Sequence, residues 1–536
     1  MAMMHTTKDL GHLGLVAGMC RELKIAETID QVLPSIGKQV SHGTAVCAMI
    51  LNGLGFVNQR LYLVPEFFVN KPVDLLLGGG ITAEQLNDDT FGRTLDAIYA
   101  YNPTELYAHV AASSCILLGL KPQFAHMDST SFHVDGQYNA DSPPQEGEVV
   151  IHLTKGYSRD HRPELNQCIL NLIVESQASI PVHMGAASGN SDDKTGFRSL
   201  VKSHVEQLQN ATGFEYLVAD SALYTEETVK ELDRRVMFIT RMPQTLSIAK
   251  ELLQQVEVAA MYQIDDNYRY QEVCAVYGEI RQRLVIVYSQ KAYERDLETL
   301  NRQALKGSES EQKAFDKLCR RPFACEEDAL REWEKFQAKL RYTDVHEIKI
   351  RQEPHYTHRG KPKQGEVPER IEYFLSGSVA SCLTKRSQMV RTQGLFVLAT
   401  NELDSDCLPA PEVLSGYKGQ LHVEKGFKFL KHPEFLASAL FLKKPERIMA
   451  LLTIMTLCLM VYAALEYRIR KGLKERGLTV PNQVKKPTNR PTARWIFHWF
   501  VGVHVLYRDG QYLGVINLQD RHWQIINLLG YQDYYT

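Results

Sequence analysis

A chain of 536 residues is too long for one ordinary core, so two or three domains are expected. Its 44% hydrophobic and 23% charged content is that of a soluble globular protein. The formal net charge of -2 argues against a uniformly basic nucleic-acid binder, although the basic residues are clustered rather than spread. Ten cysteines at irregular spacing, with no C-x-x-C and Cys319 and Cys325 the closest pair, read as reduced thiols in a cytosolic protein. The N-terminus lacks the charged head and apolar run of a secretion signal.

Residues 1–118 read as an all-helical domain, with helices expected at Gly43–Phe56, Thr82–Tyr101 and Thr104–Leu118 and a break at Gly78-Gly79-Gly80. Asp88 is a candidate cap, ahead of Phe91, Leu95 and Ile98 on one face. The domain suits either a DNA-end-binding or dimerising head or a plain helical fold.

From Lys121 the pattern changes. Gln123–Val134 alternates like a strand and carries Asp128. A basic loop, GYSRDHRPELNQ, brings Arg159 and Arg162, suited either to holding DNA phosphates or to lying solvated, and leads into Cys168–Val174 and Ile180–Met184, a hairpin of two buried strands. Ser191–Gln209 reads as helix, Phe214–Ala219 as a short strand delivering Asp220, then a helix through Arg234 and a strand at Val236–Thr240. This order gives an open mixed α/β sheet over 119–241.

Residues 242–393 interrupt it with a hairpin (Tyr268–Val276, Arg281–Tyr288), charged helices at Ala292–Ala304, Glu311–Cys319 and Glu326–Leu340, and a strand near Glu347–Arg351. So long and polar a span is an insertion with its own structure. Trp333 is its only tryptophan, suited either to holding an unstacked base or to packing in its helix. The core returns over 394–465 with a strand at Leu395–Thr400 and a helix over Tyr417–Lys431. Ile448–Leu465 is eighteen residues without a charge, long enough to span a membrane but read here as a helix buried in a large core. Residues 466–536 form a basic arm and a cap: Glu466–Arg494 carries nine Lys or Arg against two Glu and is expected to be extended, followed by a hairpin turning at Asp509-Gly510.

The sequence YKGQLHVEKGFKFLK, with Tyr417, Gln420, Glu424 and Lys431 spaced by three, four and seven, resembles the YREK signature of bacterial insertion-sequence DDE transposases. Gln420 stands where the signature has arginine. The contexts HMDSTSF at Asp128 and LVADSALY at Asp220 are similar to those of the family's first two acids, and the likeness covers about residues 1–530. It implies an RNase H-like (retroviral integrase-like) core interrupted by an insertion, and cut-and-paste movement of a DNA element by a homodimer synapsing two element ends in the bacterial cytoplasm.

The residue chemistry agrees. Phosphodiester attack needs an activated oxygen and relief of charge on the leaving oxygen, which two Mg²⁺ ions about 4 Å apart supply, with Mn²⁺ able to substitute. Carboxylates suit such hard cations, and Asp128, Asp220 and Glu424 are the expected catalytic ligands, Asp128 bridging both ions. Tyr417, Gln420 and Lys431 are expected to contact phosphates near the cut, with Lys425 as a substitute for the missing arginine. Rival readings are a metal-dependent nuclease or resolvase without strand transfer and a non-catalytic DNA-binding descendant.

Overall fold

The structure is a computed structural model and describes every residue except 1–4, 36–38, 57–63, 135–149, 159–161, 192, 358–366, 433–434, 436–441 and 443. It divides into two units. One comprises Met1–Arg241, Cys274–Arg283 and Ala399–Thr536, the other Met242–Val273 and Leu284–Leu398.

The first unit opens with a strand, β1 (His5–Asp9), and is then helical to Leu118. Its sheet follows: β2 (Phe124–Val134), β3 (Asn166–Glu175), β4 (Pro181–Ser188), β5 (Tyr216–Ala219) and β6 (Met237–Arg241). These strands hydrogen-bond in the order β4-β3-β2-β5-β6. β2, β3 and β4 pair antiparallel, and β5 and β6 run parallel to β2. That order and polarity is the RNase H-like arrangement. The apolar run of β3 is buried along almost its whole length, as expected of a strand covered on both faces.

The charge-free segment lies within one long helix, Pro445–Glu475, and all of Ile448–Leu465 except Tyr462 is buried by protein. Helices Leu13–Glu22, His42–Leu54 and Asp88–Tyr101 pack on it, as do β4 and the helix Leu421–Leu430. Arg447 at its start forks onto both oxygens of Asp96 at 2.7 Å. One helix therefore gives the N-terminal helices and the sheet a common core.

Several expectations need amendment. The N-terminal region is helical as predicted, with the addition of β1, which pairs antiparallel with His504–Arg508; HTTKD is too polar to announce a strand. The cap at Asp88–Tyr101 is Asn87, whose side chain accepts from the Thr90 amide at 3.0 Å. The basic stretch is not extended at its start, because the long helix runs on to Glu475.

In the second unit the two predicted helices around Gly307 are one, Gln290–Cys319. Gly307 is there because the Tyr342 ring packs against the helix, 2.3 Å from where a Cβ would stand, and it does not break the helix. The strand Thr343–His355 pairs with a strand the sequence did not announce, Arg370–Ser381. Most of that strand is solvent-exposed, so it shows little apolar alternation.

Candidate active site

β2 places Asp128. Its even-numbered residues share one face, and three of them fix that face against the segment carrying Glu424. A Cβ on Gly416 would stand 2.8 Å from the Phe124 ring, and one on Gly419 only 2.4 Å from His126 Nε2. His126 Nε2 in turn lies 2.9 Å from the Gly416 carbonyl. Further along, the Lys431 ammonium sits 5.7 Å over the Phe132 ring. Gln420 donates its side-chain amide to the Met127 carbonyl at 2.9 Å, one residue before Asp128. The Glu424 helix is thus laid along β2, with Glu424 between the Gln420 and Lys431 contacts.

Asp220 arrives beside Asp128. Met127 is level with Ala219 in the parallel ladder, so the two aspartates are the next residues on adjacent strands, about 4.8 Å apart strand to strand. Asp220 is locked by its own turn: its carboxylate accepts from the Ala222 amide at 2.9 Å and its carbonyl from the Thr240 hydroxyl at 2.8 Å. Ala219 is level with Thr240 on β6, which brings Arg241 to the same edge.

Tyr417 reports how close these groups are. Burial pushes its phenol up; Arg241 opposes this by its charge and by a hydrogen bond, while the negative charges of Asp220 and Glu424 push it up further. One hydroxyl therefore feels the second acid, the third acid and an arginine together. Among the described residues no three His, Cys, Asp or Glu side chains, these acids included, group closely enough to hold one ion. The acids' all-oxygen donor set fits a hard divalent cation.

The predicted helix Tyr417–Lys431 is two helices, Ala410–Lys418 and Leu421–Leu430. Tight bonds join them: the Gln420 amide donates to the Tyr417 carbonyl at 3.1 Å and the His422 amide to the Gly419 carbonyl at 2.8 Å. The close seat of Gly419 on His126 is the reason the chain tightens there.

Comparison with known proteins places this geometry. A family model described as the transposase DDE domain matches residues 120–461, more than half of the chain. The chain belongs to the transposase DDE domain family. A second model, a domain of unknown function (DUF4277), matches residues 5–112. No curated protein matches. Among solved structures, a cryo-EM piggyBac transposase synaptic complex with hairpin DNA is similar at 8% identity, over 89% of this chain and 80% of that one, with a TM-score of 0.38. The protein is thus a DNA-cleaving and strand-transferring enzyme of a family that depends on divalent metal.

The remaining expected contacts of the transposase fall in different places. Arg159 lies outside the described residues. Arg162 is partly exposed and its guanidinium pairs with Glu164. Lys425 lines a cavity with His422, about a quarter-turn round its helix from Glu424. Gln420 is spent on the Met127 carbonyl, and its own Oε1 is buried with no hydrogen-bond partner. Trp333 is a correction: it is buried against Phe315, Phe323, Ala329 and Leu375, edge-on to Phe315 at 6.0 Å. A ring filling the core of its own unit is not available to stack a base. Sequence reasoning missed Arg241, although a cation one residue past the predicted strand Val236–Thr240, next to the strand of Asp220, was a usable signal.

Proposed function

We propose that this transposase cuts and joins the ends of a bacterial insertion sequence by cut and paste, as a YREK-type enzyme acting through a DNA hairpin. The observation that carries the reading is that Asp128, within β2, and Asp220, one residue past the end of the adjacent parallel β5, lie side by side, with the segment that carries Glu424 tied to β2 through Gln420. Asp128, Asp220 and Glu424 would together hold the Mg²⁺ ions. Bound there, the ions supply an acidified nucleophile and a neutralised leaving oxygen.

The protein's own groups do the rest. Lys431 and Arg241 flank the acids and are suited to the phosphates on either side of the cut. Tyr417, with Arg241 donating to its hydroxyl, presents a held phenol at the same edge. Gln420 sets the height of Glu424 against Asp128 through the Met127 carbonyl, a positioning duty in place of the phosphate contact an arginine would make. The acting form would be a homodimer holding two element ends, in the cytoplasm of a bacterium.

The test is cleavage of a linear DNA carrying the element's own end, with Mg²⁺, by wild type and by Asp128→Ala, Asp220→Ala and Glu424→Ala. Each variant is expected to lose cleavage almost entirely while still binding the end. A wild type that cuts but never joins a pre-cut end to a second DNA would make it a nuclease. A variant that retains cutting would remove its acid from the centre.

A further inference from the structure

Beside the Glu424 helix lies a second feature. Gln420 bonds to β2, whereas His422, Lys425 and Phe429 turn to another flank of the segment. They line a cavity of about 1050 Å³, closed opposite by the last turns of Pro445–Glu475 and at one end by the β3–β4 turn. The helices can approach here because Gly426 sits over Leu459, where a Cβ would be 3.0 Å from a methyl.

The lining is strongly basic for a chain of net charge -2. Lys425, Arg470, Lys471, Lys474 and Arg490 stand against Glu466 and Glu475. Arg470 pairs with Glu466 at 2.5 Å and donates to the Pro491 carbonyl, which leaves four cations against one acid. Aromatic surface accompanies the charge: Tyr467, with the Lys471 ammonium 5.6 Å over its ring, and Tyr462, tilted against Phe429 with ring centres 4.6 Å apart.

Charge that tracks a backbone, interleaved with aromatic faces, is how proteins hold unpaired nucleic acid. The recess is small beside a double helix, whose major groove alone is roughly 12 Å wide, and so suits a single strand better. We propose that this cavity binds a single DNA strand, its phosphates on Lys425, Lys471, Lys474 and Arg490 and a base against Tyr467. The proposal rests on the reading that the enzyme opens DNA ends, and gives the strand freed at the acidic edge a place on another flank of the same helix.

The experiment measures fluorescence anisotropy of a labelled oligothymidine and of a duplex of equal length, with metal chelated so that no cutting occurs. The full-length wild type is compared with Lys425→Gln/Lys471→Gln/Lys474→Gln and with Tyr467→Leu, with circular dichroism as the check on folding. The triple variant is expected to bind the single strand at least tenfold more weakly and to lose about 2 from the slope of log K against log salt, at roughly 0.7 per phosphate contact. Tyr467→Leu is expected to weaken the single strand alone. Unchanged single-strand binding by the folded triple variant overturns the proposal, as does an equal loss of single strand and duplex. Because binding is read without cleavage, a failure here is distinct from a failure of the three-acid centre.

Discussion

Replacing Gly419 with alanine tests the seating of Glu424. The added methyl would lie 2.4 Å from His126 Nε2 and 2.7 Å from Cε1. The ring cannot swing clear, because His126 is 1% exposed and bonded to the Gly416 carbonyl. Overpacking of this kind costs about 1–3 kcal/mol, part of it relieved by moving the Glu424 helix off β2. A shift near 1 Å at a reacting centre costs on the order of 100-fold in rate. Thermal unfolding and single-turnover cleavage of an element end, measured on Gly419→Ala, His126→Ala and the pair, form a double-mutant cycle. Truncating the ring makes room for the methyl, so the double variant should be more stable than additivity predicts by about 1–2 kcal/mol. Strict additivity, or a Gly419→Ala enzyme as stable and fast as wild type, would refute the reasoning.

Gln420→Leu removes the donor to the Met127 carbonyl; end cleavage should fall at least tenfold with end binding unchanged in a gel-shift assay, whereas a phosphate-contact role would weaken binding too. Glu175 is fully buried, and burial raises its carboxyl to about 7 against the pull of the amides of Gln177, Ala178 and Ile180. A raised folded value means stability that is complete below about pH 4.5 and lost as pH climbs through 7, on the order of 3 kcal/mol in all. Denaturant titrations at pH 5 and pH 8 should show this fall in wild type and not in Glu175→Gln. Trp333→Ala should cost the second unit about 3–5 kcal/mol, read as faster proteolysis within residues 284–398, with single-strand binding by the first unit unaltered.

The parts of the fold legible in the sequence were those in which one interaction dominates. The β3 run and the charge-free helix are buried on every side, so composition alone identifies them. The Asp509-Gly510 hairpin was readable because both residues adopt positive φ, 47° and 81°, which Asp and Gly tolerate. Where surface or tertiary context decides, the sequence was silent: Arg370–Ser381 pairs mostly in solvent, and Gly307 is a contact rather than a break. In the candidate site, residue type and spacing selected the three acids, but not the duties of their neighbours. Gln420 looked like a weakened phosphate contact and is a strut to Met127; Lys425 adjoins Glu424 in sequence yet lines a separate cavity; Arg241 had no motif to mark it.

The long helix Pro445–Glu475 begins twenty-one residues after Glu424, and it supports the N-terminal helices Leu13–Glu22, His42–Leu54 and Asp88–Tyr101. A nascent chain on the ribosome that has emerged as far as Thr400 already holds both aspartates but neither the glutamate nor this support. On the three-acid proposal, a product ended in that interval is expected not to nick DNA, because its third acid is missing.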